Sequence, residues 1–263
     1  MSKIINIKLR YYCRHTEPIE AQQEKNCHYN TVDWQIPLDN IALICLDIWN
    51  LDVHQDMQER DNRITRERIV PLVAACRKSG LQLIHAPAPP IARRHPNWVD
   101  LVQDKPHPTE YPDSPEWPPR EFKNKTGEYT QYAFPEESIK LKSWEYLEGA
   151  DFHDLVKPEK DEPVIATGEE LHRLCAQKGI LFLLFAGHHT PGCMTGRTYG
   201  MVKMQGKGYT CILVRDCTNG METHETHDEQ ISMKGTIAFL EQTGLYTLLS
   251  DEIIKPLKGV KDV

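Results

Sequence analysis

Short, nearly unbroken apolar runs alternate along this chain with stretches in which apolar residues recur every three or four positions. The clearest run, IALICLD at 41–47, ends abruptly in an acid, which predicts a strand buried on both faces whose C-terminal end opens onto a site. Residues 65–79 follow with helical spacing through Ile69, Leu72, Val73 and Cys76; Gly80 supplies a stop, and LQLIH at 81–85 predicts a second buried strand, completing a βαβ unit. Regular alternation returns with VIAT (164–167), a helix from 168 or 169 to 178, the strand ILFLLFAG (180–187), a helix from 191 to about 205, the strand TCILV (210–214) and a last helix over roughly 230–243. Strands alternating with helices of this length imply right-handed crossovers and one parallel sheet with helices on both faces.

Two regions break the pattern. Ile4 to Tyr12 alternates like a strand and 14–33 is polar and irregular, so residues 1–40 are expected to be an extension laid on the main domain. From 86 to about 163 the periodicity is replaced by proline clusters, far beyond an ordinary connection. The aromatics of this insert (Trp98, Tyr111, Trp117, Phe122, Tyr129, Tyr132, Phe134 and Trp144) argue for an ordered segment that covers something. The whole, 1–263, is expected to be a single domain.

Composition narrows the function. Hydrophobic residues make up 40% and charged residues 26%, as in a globular enzyme; with a net charge of -7 and no basic stripe, neither nucleic acid nor an anionic membrane has an electrostatic footing, which leaves a small-molecule partner. The N-terminus lacks the apolar core of a signal peptide and no run is long enough to span a bilayer, so a cytoplasmic location is expected. The eight cysteines are scattered without a C-x-x-C pair and are expected to be reduced thiols.

Ligands of such sheets bind beyond the C-terminal strand ends. The residues there are Asp47, Trp49, Asp52 and His54 after the first strand, His85 after the second, His188, His189 and Cys193 after ILFLLFAG, and Glu222, His224, Glu225 and His227 after TCILV. The sharpest feature is GHHTPGC, 187–193: Thr190 suits an N-cap and Pro191 a first helical position, which would place Cys193 in a first turn whose free amides and dipole lower a thiol pKa and hold an oxyanion. The alternative is a small packing residue. Asp47 is either a base for that thiol or a carboxylate capping local amides. Arg197, four residues on, would hold a substrate carboxylate or a neighbouring acid.

An apolar strand ending in aspartate, a βαβ unit, then strand, G-x-x-T-x-x-C and helix resembles the isochorismatase-like cysteine hydrolases, among them nicotinamidases, N-carbamoyl amidases, ureidoacrylate amidohydrolases and biuret hydrolases. The resemblance runs over roughly 40–250, and DIWNLDVH together with RTYGMVKMQGKGYTCILVRDCTNGMETHETHD resembles one branch of the family. It implies a three-layer αβα fold with a six-stranded parallel sheet, an Asp–Lys–Cys triad in which Asp47 and Cys193 match, and an oxyanion hole at a cis peptide that would fall at His188–His189, with Gly192 beside it. It also implies a homo-oligomer, a dimer or tetramer. Trp49, His54, His85, Arg197 and Glu222 become the substrate-binding candidates. The family's lysine is missing: VIATGEEL places Ala166 and Thr167 there, leaving Lys157, Lys160, Lys140, Lys142 or His54 as stand-ins, each more simply a surface group. Nicotinamidases hold a metal after the second strand, but APAPPIARRHP follows His85, and neither Asp52 with His54 nor HETH has a specific ligand spacing, so no metal or other cofactor is expected.

The expected activity is a hydrolase acting on a C–N bond (amide, ureide or carbamoyl) of a small polar molecule through a Cys193 thioester. Two alternatives remain: Asp47 acting alone, as in the vinyl-ether-cleaving isochorismatases, and a catalytically silent binding or assembly protein.

Overall fold

The computed structural model describes residues 3–18, 20–51, 54–101, 117–135 and 149–259. Seven strands, β1 (Ile4–Cys13), β2 (His28–Pro37), β3 (Ile41–Leu46), β4 (Gln82–Ala86), β5 (Phe182–Gly187), β6 (Thr210–Thr218) and β7 (Tyr246–Leu248), form one sheet in the order β2-β1-β7-β6-β5-β3-β4. β3 to β7 are mutually parallel, while β1 runs antiparallel to both β2 and β7. The helices are α1 (Gln55–Ile64), α2 (Val70–Ser79), α3 (Pro89–Arg94), α4 (Arg120–Asn124), α5 (Gly168–Lys178), α6 (Cys193–Gly196), α7 (Met201–Gly206), α8 (Ile231–Gln242) and α9 (Ser250–Gly259).

The two-residue period of the central strands sorts their side chains into two cores. Leu43 and Cys45 of β3, Leu184 and Ala186 of β5, and Ile212 and Val214 of β6 face Ile69, Leu72, Val73 and Cys76 together with Ile253 and Leu257 of α9. Ala42, Ile44 and Leu46, Leu183 and Phe185, and Cys211 and Leu213 face the other way, onto Leu171 and Leu174 of α5, Met201 and Met204 of α7, and Leu240 of α8. The three-layer αβα architecture expected from the sequence is present. No helix among the described residues is long and apolar enough to cross a membrane.

The sheet is mixed and seven-stranded rather than parallel and six-stranded. Residues 1–40 contribute a hairpin to it: β1 and β2 pair over ten residues each, and Ile5, Ile7 and Leu9 are buried in the first core, so the N-terminal segment is part of the sheet and not a surface extension. VIAT is not a strand. Val164 makes single bridges to His85 and Trp98, but the amides of Ala166 and Thr167 are already taken by the Glu170 carboxylate in the capping box of α5, so the ladder cannot continue.

Other boundaries shift for local reasons. The helix expected at 65–79 begins ten residues earlier: α1 runs through one π-helical turn, Thr65–Ile69, into α2, which ends at Gly80 in the left-handed conformation. The helix expected over 191–205 is two short ones, because Arg197 is extended and Gly200 packs against the carbonyls of Cys193, Met194 and Arg197. The chain also continues past the expected last helix into β7 and α9. Of the long insert, 117–135 folds on itself, with Phe122 against Tyr129 while Trp117, Tyr132 and Phe134 stay exposed; Tyr111 and Trp144 lie outside the described residues.

Candidate active site

Asp47 follows β3 directly and takes a positive φ of 47°, a conformation an aspartate tolerates better than most residues and one concentrated at functional positions. Its amide donates to Ala86 O (3.1 Å), which turns the chain at the sheet edge and leaves the carboxylate 3% exposed. One strand over, β5 ends at Gly187 with φ of 133°; a Cβ there would run into the Leu46 carbonyl, so glycine alone lets the two strand ends come together. The chain then passes through a cis peptide between His188 and His189, as the resemblance implied, and the next turn delivers Cys193 to Asp47.

The Cys193 thiol lies beside the Asp47 carboxylate, with the His189 backbone facing the sulfur. Arg197 completes the group, donating from both Nε and Nη2 to Asp47 Oδ2, each at 3.0 Å. Asp47 Oδ1 is buried without a hydrogen-bond partner. Burial pushes the Asp47 pKa up, while the Arg197 guanidinium and the Cys193 and Arg197 hydrogen bonds pull it back. Burial, followed by the Asp47 charge, pushes the Cys193 thiol well above its ordinary range.

That last result reverses the expectation of a low-pKa thiolate. Thr190 does not cap a helix; its hydroxyl is bonded to Thr218, Gly192 is the cap residue, and α6 has only four residues, too short for a dipole to outweigh burial beside a carboxylate. Gly192 also cannot offer its amide to an oxyanion, because that amide donates to His189 O (3.1 Å).

The remaining sequence candidates divide. Arg197 sits in the site, yet bound to Asp47 rather than free for a substrate carboxylate. It places a cation on Asp47; among the described candidates Lys157 pairs with Asp154 at the surface and Lys160 is exposed, and Lys140 and Lys142 fall outside the described residues. His85 points to the other core, where Nε2 meets Glu162 at 2.8 Å under the Arg77–Glu162 pair. Trp49 packs with Phe152 in a small separate cluster. Glu222 accepts from the amides of Ser232 and Met233 at the start of α8 and so acts as its cap. His54 is exposed, and with Glu222, Asp56, Arg60, His224 and His227 it lines a polar cleft of about 440 Å³ to which neither Cys193 nor Asp47 contributes. The cleft and the Cys193 group share α1 and the loop after β6: Arg60 lies in the cleft, and the next residue, Asp61, holds His189.

Asp61 was not singled out from sequence, and it organises the underside of the GHHTPGC turn. Its Oδ2 accepts from His189 Nε2 (2.8 Å), its Oδ1 accepts from Asn219 Nδ2 (2.7 Å), and His188 Nδ1 lies 3.3 Å from Oδ1. Burial would raise its pKa, but the two histidines and Asn219 hold it at about 2. An aspartate in a helix 128 positions before the histidine it binds gives no sequence signal; only the unexpected start of the helix at 55 aims it inward.

Residues 41–239 match the family model of the isochorismatase domain. Among solved structures, a cysteine hydrolase from Pseudomonas syringae pv. phaseolicola 1448A is similar over 87% of this chain and 97% of that one, with 10% identity and a TM-score of 0.54. An isochorismatase family protein from Desulfovibrio vulgaris subsp. vulgaris str. Hildenborough is similar over 83% and 98%, with 15% identity and a TM-score of 0.50. At these identities the likeness is one of fold. No curated protein matches the chain in sequence.

Proposed function

The chain belongs to the isochorismatase family, and from that membership we propose that it is a cysteine hydrolase that cleaves a C–N bond of a small polar amide, ureide or carbamoyl compound through a Cys193 thioester. The observation that carries the reading is the juxtaposition of the Cys193 thiol with the buried Asp47 carboxylate, which Arg197 pairs at 3.0 Å.

Because burial and Asp47 hold the thiol protonated at rest, proton transfer accompanies attack. Sγ adds to the carbonyl carbon while Asp47 takes the thiol proton, and the Cys193 backbone amide, whose neighbours in the turn are already committed, receives the oxygen as it becomes anionic. Collapse expels the amine, which leaves with the proton from Asp47. Water, deprotonated by Asp47, then attacks the thioester carbon, the C–S bond breaks, Sγ regains its proton, and the acid departs. Arg197 keeps Asp47 ionised between steps and so takes the part of the family's lysine. The polar lining of the cleft beside the group suits a charged or strongly hydrogen-bonding substrate, and assembly into a dimer or tetramer belongs to the same reading.

A panel of small amides, ureides and carbamoyl compounds, followed by intact-mass and peptide mapping, tests it. Turnover with a transient acyl mass on the Cys193 peptide, absent in Cys193→Ala, is expected. Turnover that survives Cys193→Ala but not Asp47→Asn would replace the thioester route by acid–base chemistry at Asp47 alone.

A further inference from the structure

We propose that Asp61, His188 and His189 form a binding site for one divalent first-row transition cation, of which zinc is the type, lying directly beneath the turn that carries Cys193. The three residues each offer one ligand atom, and all of these atoms lie within 4.8 Å of one another among buried residues. The closest approaches are 2.8 Å between His189 Nε2 and Asp61 Oδ2 and 3.3 Å between His188 Nδ1 and Asp61 Oδ1. Donors of a tetrahedral site with bonds of about 2.1 Å stand about 3.4 Å apart, so the two closest approaches lie just inside that spacing and the widest pair closes by at most about 1.4 Å.

A hydrogen-bonded anchor for the loop would account for His189 and Asn219 but not for His188. Its Nδ1 is buried, has no hydrogen-bond partner and faces the same carboxylate; the residue is 2% exposed. An orphaned buried imidazole nitrogen costs stability that a bound cation restores. Asn219 Oδ1 is a second buried atom without a partner in the same group.

The outer contacts complete the picture. Metal-bound histidines and carboxylates are held by a second hydrogen bond that fixes ring and carboxylate orientation. Here the far nitrogen of His188, Nε2, meets Thr65 Oγ1 at 3.3 Å, and Asn219 Nδ2 donates to Asp61 Oδ1 at 2.7 Å. Thr65 lies in the π-helical turn after α1, so the helix that presents Asp61 also orients His188. Two neutral nitrogens and one carboxylate form a donor set that zinc, cobalt and iron(II) share. Three protein ligands leave room for a further one.

The experiment uses the full-length protein stripped with a chelator and re-dialysed with Zn2+ or, for its visible spectrum, Co2+. One equivalent per chain is expected, with d–d bands near those of four-coordinate Co2+, in the wild type, in Cys193→Ser and in a His224→Ala/His227→Ala double variant. Asp61→Asn and His188→Ala are expected to lose stoichiometric binding, and Thr65→Val to weaken it by about 10–100-fold, as a lost outer contact does. Should Asp61→Asn fail to fold, the wild-type stoichiometry and Thr65→Val decide. Absence of a stoichiometric site in the wild type overturns the proposal, as does binding that survives His188→Ala or that vanishes in Cys193→Ser.

Discussion

At Cys193 two effects compete, and the larger one sets the chemistry. A first-turn amide lowers a thiol pKa, but burial beside an ionised carboxylate raises it further than one amide and one guanidinium can offset. Iodoacetamide mapping of the native protein is therefore expected to label the partly exposed Cys13 and Cys27 before Cys193, and the Cys193 rate to keep climbing with pH beyond the range where an ordinary cysteine levels off. In Asp47→Asn the charge that opposes the thiolate is gone, so labelling at fixed pH should accelerate while turnover falls by about 10²–10⁴-fold, the usual worth of a positioned base. A purely structural Asp47 would not move the two readouts in opposite directions. Arg197→Ala strands a buried carboxylate and is expected to cost about 3–5 kcal/mol in urea unfolding, with Arg197→Lys recovering part of it. Asp47 was legible in the sequence because it terminates a buried run, and Cys193 because it closes the GHHTPGC turn that follows one. The Arg197 pairing was left open as one of two readings, since a four-residue offset implies a continuous helix and the structure breaks it at that residue.

Helices and strands were read correctly wherever burial alone decided them and misread where side-chain to backbone bonds intervened. VIAT has strand composition, yet Glu170 takes two of its amides; α1 lacks apolar spacing, yet it forms because it is carried by the helix that follows. His85 shows the same limit. At the end of β4 it looked like a site residue, but it faces the core that also buries Cys45 and serves the Arg77–Glu162 pair. Despite burial, hydrogen bonds from Arg77 and His85 hold Glu162 far below the ordinary carboxylate range, so its contribution is present above about 4.3 and is lost as pH falls through the folded value. Burial lowers the His85 pKa, and acid therefore weakens the fold from about pH 6.5 downward on this account as well. Urea midpoints measured at pH 7 and pH 4 are expected to fall for the wild type, and Glu162→Gln to lose about 1–3 kcal/mol at pH 7, less than a fully enclosed pair because Arg77 reaches solvent. A Glu162→Gln variant with unchanged midpoints would remove this pair from the account of stability.

On the scale of the molecule, the N-terminal hairpin is the feature whose weight the sequence understated. Its alternation was visible in Ile4 to Tyr12, but strand β2 is mostly polar and exposed, so nothing in it announced a partner. The structure places β1 between β2 and β7, with Ile5, Ile7 and Leu9 at 1% exposure or less against the same core as α2 and α9. Arg10 adds a two-pronged contact to Glu241 of α8, whose carboxylate also accepts from Thr247 of β7. Three such side chains are worth roughly 1.5–3 kcal/mol each, a sum comparable with the 5–15 kcal/mol by which whole domains are stable. Removal of residues 3–37 is therefore expected to abolish cooperative unfolding, and Ile7→Ala in the full chain to cost about 2–5 kcal/mol. Circular dichroism melts of both variants check this. A truncated chain that still melts cooperatively near the wild-type temperature would mean that β3 to β7 and their helices fold as a self-sufficient unit, and that the hairpin only covers its edge.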